Sequence, residues 1–221
     1  MPASVLALFA KAPVPGQVKT RLCPPLSPEE AADLYRAMLL DVLDQHAAGT
    51  GAERVVWYTP PSSFAWFGAN VPAGYRLLPQ YGPDLAARMA HVVWVHHQEG
   101  YQRIVLRGTD SPTLPMDSIE RAFLLLESTD LVFGPDRDGG YNLIGLRAPC
   151  ERLFQVEMSR STVLEQTLGH ARAAGLGFEL LPPHHDVDTA EDLERLAPGL
   201  SESRTPRTLD WLRRAPPKGA P

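Results

Sequence analysis

Continuous apolar stretches alternate with amphipathic stretches along most of the chain. The first apolar stretch, residues 4–10, is not interrupted by polar residues, which is typical of a strand covered on both faces. Shorter apolar stretches bounded by Gly, Pro or charged residues predict further strands. These further predicted strands are residues 54–58, 75–78, 103–107, 130–134, 141–146 and 178–181.

The segments between these strands have the periodicity and the end signals of helices. Ser27, Pro28 and Glu30 together form an N-cap, a proline at the first helical position and a capping-box glutamate. The helix that follows is predicted to stop at Gly49 and to bury Leu34, Met38, Leu39 and Val42. The other predicted helices are residues 83–97, 117–127, 161–174 and 189–196, with N-terminal signals at Asp117 and Glu120, at Ser161 and at Thr189.

Strands that alternate with helices predict an α/β fold with a mainly parallel sheet and helices on both of its faces. The two strands that meet at residues 136–140 have no helix between them, which predicts one antiparallel insertion. In open sheets of this kind, ligands bind at the carboxyl ends of strands. The loops to search are therefore those after Ala10, Arg107, Gly134 and Leu181.

We expect a single domain at residues 1–197, followed by a C-terminal extension at residues 198–221. Within the extension, residues 208–214 have the pattern of one or two helical turns. Residues 215–221 are rich in proline and are predicted to be disordered.

The composition narrows the function classes. Of the 221 residues, 44% are apolar and 21% are charged, which is typical of a globular protein. The net charge of -5 disfavours a nucleic-acid partner, whose phosphates need a basic surface. Cys23 and Cys150 are not spaced as zinc ligands or as a disulfide framework, and no apolar stretch is long enough for a membrane span. We therefore expect a soluble, cytoplasmic protein without a membrane span.

The loop after the first predicted strand contains groups that bind phosphate: Lys11, Gly16, Lys19, Thr20 and Arg21. Gly16 permits close approach of the backbone, Lys19 supplies a compact charge, and Arg21 supplies a planar fork for phosphate oxygens. The loop lacks both the Walker A and the Gly-x-Gly-x-x-Gly patterns, and charge alone would favour a solvated basic loop. Its position at the carboxyl end of a buried strand favours phosphate binding.

An aspartate follows the fourth predicted strand. Asp110 comes after Gly108 and Thr109, which are candidate nucleotide-binding residues, at the end of a buried strand, where a carboxylate must reach solvent or find a cation. Mg²⁺ or Mn²⁺ that bridges phosphates takes only one or two protein carboxylates, so Asp110 and Asp188 are candidate ligands of one ion. The alternatives are an ordinary Asp-Ser-Pro turn for Asp110 and a helix-dipole contact for Asp188.

Two histidines and a further aspartate precede Asp188. His184 and His185 beside these aspartates would suit a transition metal, although histidines on the surface before a helix are commoner than ligands. Whether Asp186 shares the metal role of Asp188 stays open.

The segment 138–142 joins two predicted strands. Asp138, Gly139 and Gly140 form a hairpin-turn signal. A turn does not require the aromatic ring of Tyr141 or the amide of Asn142, so this segment is either an acceptor or sugar-binding loop or a bare turn.

Four ordered motifs resemble those of a known family. They are Leu-Phe-Ala-Lys-x-Pro-x-Pro-Gly-x-Val-Lys-Thr-Arg-Leu (8–22), Gly-Thr-Asp-Ser-Pro-x-Leu (108–114), Gly-Pro-x-x-Asp-Gly-Gly-Tyr-x-Leu-Ile-Gly-Leu (134–146) and Asp-Val-Asp-Thr-x-x-Asp-Leu (186–193). Together they resemble the bacterial glycosyltransferase-A-like proteins known as arsenosugar-biosynthesis glycosyltransferases.

The resemblance implies the glycosyltransferase-A fold, also called the nucleotide-diphospho-sugar transferase fold. It also implies kinship with 2-phospholactate guanylyltransferase and the molybdenum-cofactor guanylyltransferases. By that kinship Asp110 and Asp188 match metal-binding aspartates, and Lys19 and Arg21 match phosphate-binding cations. Residues 109–111 lack the Asp-x-Asp of many such glycosyltransferases, and residues 11–21 have fewer glycines than most nucleotidyltransferase loops.

The sequence thus predicts a metal-dependent transferase that uses a nucleotide-activated donor and a small-molecule acceptor, with Asp110, Asp188 and Lys19 as catalytic groups. The first hypothesis is a glycosyltransferase that uses a nucleotide sugar. The alternative is a nucleotidyltransferase of the guanylyl or cytidylyl type that uses a nucleoside triphosphate and releases pyrophosphate. The third hypothesis is a non-catalytic nucleotide-binding module. The oligomeric state does not follow from the sequence.

Overall fold

The computed structural model describes residues 3–47, 51–158 and 160–214. The predicted helix stop at Gly49 and the predicted disorder of residues 215–221 lie outside these residues. Among the described residues, no helix is both long enough and apolar enough to cross a membrane.

Seven strands form one sheet, and all of the predicted strands are confirmed within a residue or two at their ends. The strands are β1 Ser4–Lys11, β2 Glu53–Thr59, β3 Arg76–Pro79, β4 Arg103–Gly108, β5 Leu131–Pro135, β6 Tyr141–Leu146 and β7 Phe178–Leu180. The helices are α1 Pro28–Ala47, α2 Phe64–Asn70, α3 Leu85–Gln98, α4 Asp117–Leu125, α5 Val163–Ala173, α6 Ala190–Leu196 and α7 Pro206–Arg214. The short helix α2 was not predicted; it buries Phe67 completely.

The strand order in the sheet is β3-β2-β1-β4-β6-β5-β7. All neighbours pair in parallel except β6, which runs antiparallel to both β4 and β5. This confirms the predicted α/β fold with one antiparallel insertion. The carboxyl ends of the six parallel strands and the start of β6 lie at one edge of the sheet, so the loops after these strands meet there.

Two apolar layers cover the faces of the sheet. One layer contains the buried faces of α1, α2, α4 and α6 and part of α7, and the other contains those of α3 and α5. Because the central strands are buried on both faces, their side chains are apolar at nearly every position. The two apolar layers hold the strands in place, and the strands in turn position the loops at the carboxyl edge of the sheet.

Two of the predicted N-terminal signals do not cap their helices, whereas the first signal does. Ser27 and Glu30 form the capping box, with the backbone N–H of each residue donating to the side chain of the other. Asp117 is already the first residue of α4, because Met116 before it has helical backbone angles, and no side chain caps this helix. Likewise α5 begins at Val163 and not at Ser161, and Thr162 before it makes no capping bond.

The residues after 197 pack on the preceding ones. The buried carboxylate of Asp41 in α1 accepts hydrogen bonds from the backbone N–H of Thr208 at 2.8 Å and from its hydroxyl at 2.7 Å. The guanidinium of Arg207 pairs with Asp41 and Asp44. These contacts attach α7 to α1. With nine residues, α7 is longer than the one or two turns predicted. The domain boundary at residue 197 stays a prediction.

Candidate active site

A cleft of about 630 Å³ lies along the carboxyl edge of the sheet. Its walls come from the loops after β1, β3, β4 and β5, from the start of β6 and from residues 186–188. The loops expected from the sequence therefore meet in one place.

The loop after β1 is anchored by two buried apolar residues, Val18 and Leu22. Between them Lys19 has a left-handed backbone conformation, with φ of 49° and ψ of 37°. This conformation costs a non-glycine residue about 1–2 kcal/mol and persists only where the surroundings enforce it. Here it places the Lys19 side chain in the cleft while Val18 and Leu22 enter the core.

Lys19 joins the two aspartates that the sequence singled out. Its Nζ lies 2.5 Å from Oδ1 of Asp110 and 2.9 Å from Oδ1 of Asp188, and its side chain is only 5% exposed. Burial alone would lower the pKa of Lys19, but the two carboxylates outweigh it and raise the pKa. Arg21 approaches Asp188 from the solvent side at 3.5 Å. Lys19 is thus a permanent buried cation between two carboxylates.

Backbone hydrogen bonds bring Asp110 and Asp188 together. The N–H of Val187 donates to the carbonyl of Asp110 at 3.0 Å. Before that point, residues 181–186 continue alongside β5, with hydrogen bonds from Leu181 N–H to Phe133 and from His184 N–H to Pro135. The segment after β7 therefore delivers Asp186 and Asp188 to the loop after β4.

Asp186 is a third aspartate that lines the same cleft as Asp110 and Asp188. It accepts a hydrogen bond from the Ser111 hydroxyl, and its backbone N–H donates to Asp136. Burial, together with the nearby charges of Asp110 and Asp136, raises the pKa of Asp186 to about 7. Burial, followed by the Asp138 charge, also raises the pKa of Asp136. The cleft floor thus concentrates negative charge where a cation would neutralise it.

This donor set fits a magnesium-type ion held together with phosphates. Asp110 and Asp188 offer oxygens around one point, and Mg²⁺ needs only one or two protein carboxylates when phosphate oxygens complete its shell. Within the described part of the chain, no group of three or more His, Cys, Asp or Glu side chains could hold a metal ion alone. The two histidines that precede Asp186 have other contacts: Nε2 of His184 is hydrogen-bonded to the Thr113 hydroxyl, and its ring stacks on that of His185.

Arg107 fixes the shape of the loop that holds Asp110. This buried guanidinium donates to the carbonyls of Gly108 and Ser111 and contacts Nε2 of His46 at 2.9 Å. Burial lowers the pKa of Arg107 to about 10, and burial together with the Arg107 charge lowers the pKa of His46 to about 3. His46 is therefore neutral at pH 7, and its lone pair can accept from Arg107.

The turn between β5 and β6 closes the other end of the cleft. Asp138 accepts a hydrogen bond from Gly140 N–H at 2.9 Å, and Gly139 has a φ of 92°. A Cβ on Gly139 would lie 1.9 Å from the carbonyl oxygen of Ser161. The turn is therefore pressed against the segment that begins α5 and depends on the missing side chain of Gly139.

Most of the predicted site residues line the cleft, although three do not. The lining residues are Lys11, Lys19, Thr20, Arg21, Gly108, Asp110, Asp138, Gly140, Tyr141, Asn142 and Asp188. Gly16 makes a turn with φ of 73°, and Gly139 is packed against Ser161. Thr109 is buried, and its hydroxyl contacts the Tyr35 hydroxyl and the Phe9 carbonyl. The ring of Tyr141 lines the cleft and makes a T-shaped contact with Phe133, and its role as a stacking surface stays a prediction.

The sequence search missed the loop after β3. Gln80, Asp84 and Arg88 from this loop and from the start of α3 line the cleft, as do Met158 and Arg160 before α5. The rule that selected the other loops, that ligands bind at carboxyl ends of parallel strands, also applies to β3 and would have found Gln80.

A model of the family described as "Uncharacterized protein conserved in bacteria (DUF2064)" matches residues 42–160. The chain belongs to this family. It is 35% identical over 210 residues to a 3-phospho-D-glycerate guanylyltransferase of Phenylobacterium zucineum, covering 88% of this chain and 91% of that protein. It is 27% identical to a 2-phospho-L-lactate guanylyltransferase of Methanothermobacter thermautotrophicus, over 79% of this chain and 76% of that one. A crystal structure of a protein assigned as a nucleotide-diphospho-sugar transferase, from Desulfovibrio desulfuricans G20, superposes with a TM-score of 0.89 at 34% identity, covering 96% of this chain and 95% of that chain.

These relatives make this DUF2064 member an enzyme of the nucleotide-diphospho-sugar transferase superfamily, as the four motifs implied. The expected kinship with 2-phospholactate guanylyltransferase is confirmed. The preference for glycosyl transfer is not supported, because these homologues favour the nucleotidyltransferase alternative. The resemblance to arsenosugar glycosyltransferases likewise finds no support among these relatives.

Proposed function

We propose that this protein is a metal-dependent guanylyltransferase that transfers GMP from GTP to the phosphate of a small phosphorylated acid. The observation that carries the proposal is the Lys19 ammonium held between Asp110 and Asp188 at the carboxyl edge of the sheet. A triphosphate needs cations here, and Mg²⁺ or Mn²⁺ needs carboxylates. The names of the two guanylyltransferase relatives support the donor and the acceptor class.

The chemistry is one phosphoryl substitution. An oxygen of the acceptor phosphate attacks the α-phosphorus of GTP, a new P–O–P bond forms, and the bond to the β-phosphate oxygen breaks so that pyrophosphate leaves. Asp110 and Asp188 would hold the metal ion, which would neutralise charge on the phosphates. Lys19, Thr20 and Arg21 orient the triphosphate oxygens and stabilise the charge on departing pyrophosphate.

Gln80 provides a fixed hydrogen-bond acceptor at the β3 end of the cleft. Its Nε2 donates to the carbonyl of Trp57 at 2.8 Å and to that of Ala10 at 3.4 Å, so two neighbouring strands hold its amide. With the NH₂ group directed at the backbone, Oε1 is the atom left for a ligand. Guanine offers N–H donors on its Watson–Crick edge, and we assign Gln80 to this edge.

The test is a pyrophosphate-release assay with Mg²⁺ or Mn²⁺, each nucleoside triphosphate in turn, and a panel of phosphorylated acids. We expect release from GTP that depends on the acceptor and disappears with EDTA. Release of nucleoside diphosphate from a nucleotide sugar, without pyrophosphate from any triphosphate, would instead establish glycosyl transfer. No turnover and no binding of Mn²⁺ would leave a non-catalytic binding module.

A further inference from the structure

Asn142 occupies an irregular position at the start of β6. In the pairing of β5 with β6, Gly134 lies opposite Leu143 and Pro135 lies opposite Tyr141, so Asn142 has no partner residue on β5. Such a bulge redirects a side chain away from the regular alternation of a strand. Here Asn142 lines the active-site cleft, and the residue as a whole is only 5% exposed.

Neither polar atom of the Asn142 side chain has a partner. Both Oδ1 and Nδ2 are buried without a hydrogen bond to any described residue. Because both atoms are affected, the finding does not depend on which way round the amide is placed. Buried polar groups are hydrogen-bonded in the great majority of cases, and exceptions in a cleft point to a ligand.

The surroundings fix the position of this amide. A Cβ on Gly134 would lie 2.8 Å from Oδ1 of Asn142, so a larger residue there would displace the amide. On the other side, β4 and β6 pair through Arg107 and Leu143, and one step further along these strands lie Gly108 and Asn142. Asp110 follows Gly108 by two residues and lines the same cleft as Asn142.

The chemistry of an amide limits what can satisfy it. Nδ2 donates and Oδ1 accepts, whereas ionised carboxylate and phosphate groups only accept. An acidic ligand without a hydroxyl therefore satisfies Nδ2 and leaves Oδ1 without a donor. A hydroxyl supplies the donor that Oδ1 needs.

We infer that Asn142 recognises a free hydroxyl on the acceptor, which is therefore a phosphorylated acid that retains a hydroxyl next to its phosphate-bearing carbon. This inference rests on the proposed function and adds the acceptor class to it. 3-Phosphoglycerate has such a hydroxyl, whereas in 2-phospholactate the hydroxyl is esterified. A site built to bond a hydroxyl discriminates strongly against an analogue that lacks it, because its own polar atoms stay unpaired.

A matched pair of acceptors tests the inference in the unmodified protein. 3-Phosphoglycerate and 3-phosphonooxypropanoate differ only in the hydroxyl. We expect kcat/KM for pyrophosphate release to be roughly ten- to a hundredfold higher with 3-phosphoglycerate. In Asn142→Leu, which keeps the side-chain volume and removes both polar atoms, the two acceptors should differ by less than about threefold. Equal use of both acceptors by the unmodified protein, or a preference that survives in Asn142→Leu, would overturn the inference.

Binding separates this inference from the proposed reaction. Calorimetry with the same two acids, in the presence of Mg²⁺ and a non-hydrolysable GTP analogue, should show the same preference. A preference in binding without pyrophosphate release would keep the assignment of Asn142 and reject guanylyl transfer. Turnover of both acids at equal rates would keep guanylyl transfer and reject the assignment of Asn142. If neither acid binds, both the assignment and the proposed reaction are rejected. Thermal stabilisation of Asn142→Leu by GTP and Mg²⁺, as large as in the unmodified protein, verifies that the variant is folded.

Discussion

At the scale of single residues, the decisive arrangement is one cation that satisfies two acids. Without Lys19, Asp110 and Asp188 would repel each other across the floor of the cleft; with it, their charge is partly neutralised before any metal ion binds. The same ammonium would therefore compete with a metal ion for the carboxylates. We expect metal and nucleotide to bind together, since the triphosphate gives Lys19 other oxygens to contact.

Replacement of Lys19 tests this competition. Lys19→Met should bind Mn²⁺ more tightly than the unmodified protein when nucleotide is absent, because no ammonium occupies the carboxylates, and its turnover should fall about a hundredfold. Titration of free Mn²⁺ by electron paramagnetic resonance measures the affinity. Lys19→Arg, which keeps the charge, should not gain affinity. Weaker Mn²⁺ binding by Lys19→Met would show that the lysine supports the metal site and does not compete with it.

Asp110 can be tested by removing its charge alone. Asp110→Asn should lower the rate of pyrophosphate release at least about a hundredfold, because the metal ion that would bind the phosphates loses a charged ligand. Steady-state kinetics with saturating Mg²⁺ measure the loss. Asp33→Asn is the matched control, since Asp33 is an exposed residue of α1 whose ion pair in the described part of the chain is with the nearby Arg36. A loss of similar size in both variants would remove Asp110 from the reaction.

At the scale of elements, the site depends on how the turn after β5 meets the start of α5. Leu164 N–H donates to the carbonyl of Gly139 at 3.0 Å, and the missing Cβ of Gly139 lets the two segments touch. This turn contains Asp138 and Gly140, which line the cleft, and it leads directly into β6. A change at Gly139 should therefore disturb acceptor binding more than nucleotide binding.

Two glycines with similar backbone angles separate contact from strain. Gly139→Ala and Gly16→Ala both place a side chain at positive φ, which costs about 1 kcal/mol. Only Gly139→Ala also drives a methyl group into Ser161, since nothing lies within 4 Å of a Cβ on Gly16. We expect the larger fall in Tm and a raised acceptor KM for Gly139→Ala. Equal effects of the two substitutions on Tm and KM would mean that the contact with Ser161 is unimportant.

At the scale of the whole molecule, the C-terminal segment links α1 to the loop that holds Asp110. Gln45 in α1 donates to the carbonyls of both Pro112 and Arg204, and the Arg204 guanidinium donates to the carbonyl of Leu114. Asp41 secures the start of α7 by accepting bonds from Thr208. The stability of the whole chain and the shape of its site are therefore coupled through this segment.

Neighbouring aspartates on α1 test the coupling. Asp41→Ala should lower the free energy of unfolding by about 3 kcal/mol, because Thr208 and Arg207 lose a buried charged partner. Asp44→Ala removes an ion pair with the same Arg207 at a half-exposed position and should cost less than about 1 kcal/mol. Urea unfolding measures both. A small loss for Asp41→Ala would show that α7 contributes little to the fold.

The sequence by itself determined the strands, most helices, the fold class and the loops in which Lys19, Asp110 and Asp188 lie. These features depend on local periodicity, capping residues and the rule that parallel strands present their carboxyl ends together. Only the tertiary structure decided that Lys19 lies between the two aspartates. It also decided that the Gln80 amide donates to carbonyls of β2 and β1. The same holds for Asn142, which lies at a bulge with neither polar side-chain atom hydrogen-bonded to a described residue. The physical reason is that strand register and side-chain contacts between distant segments are set by packing of the whole sheet, which no local pattern encodes.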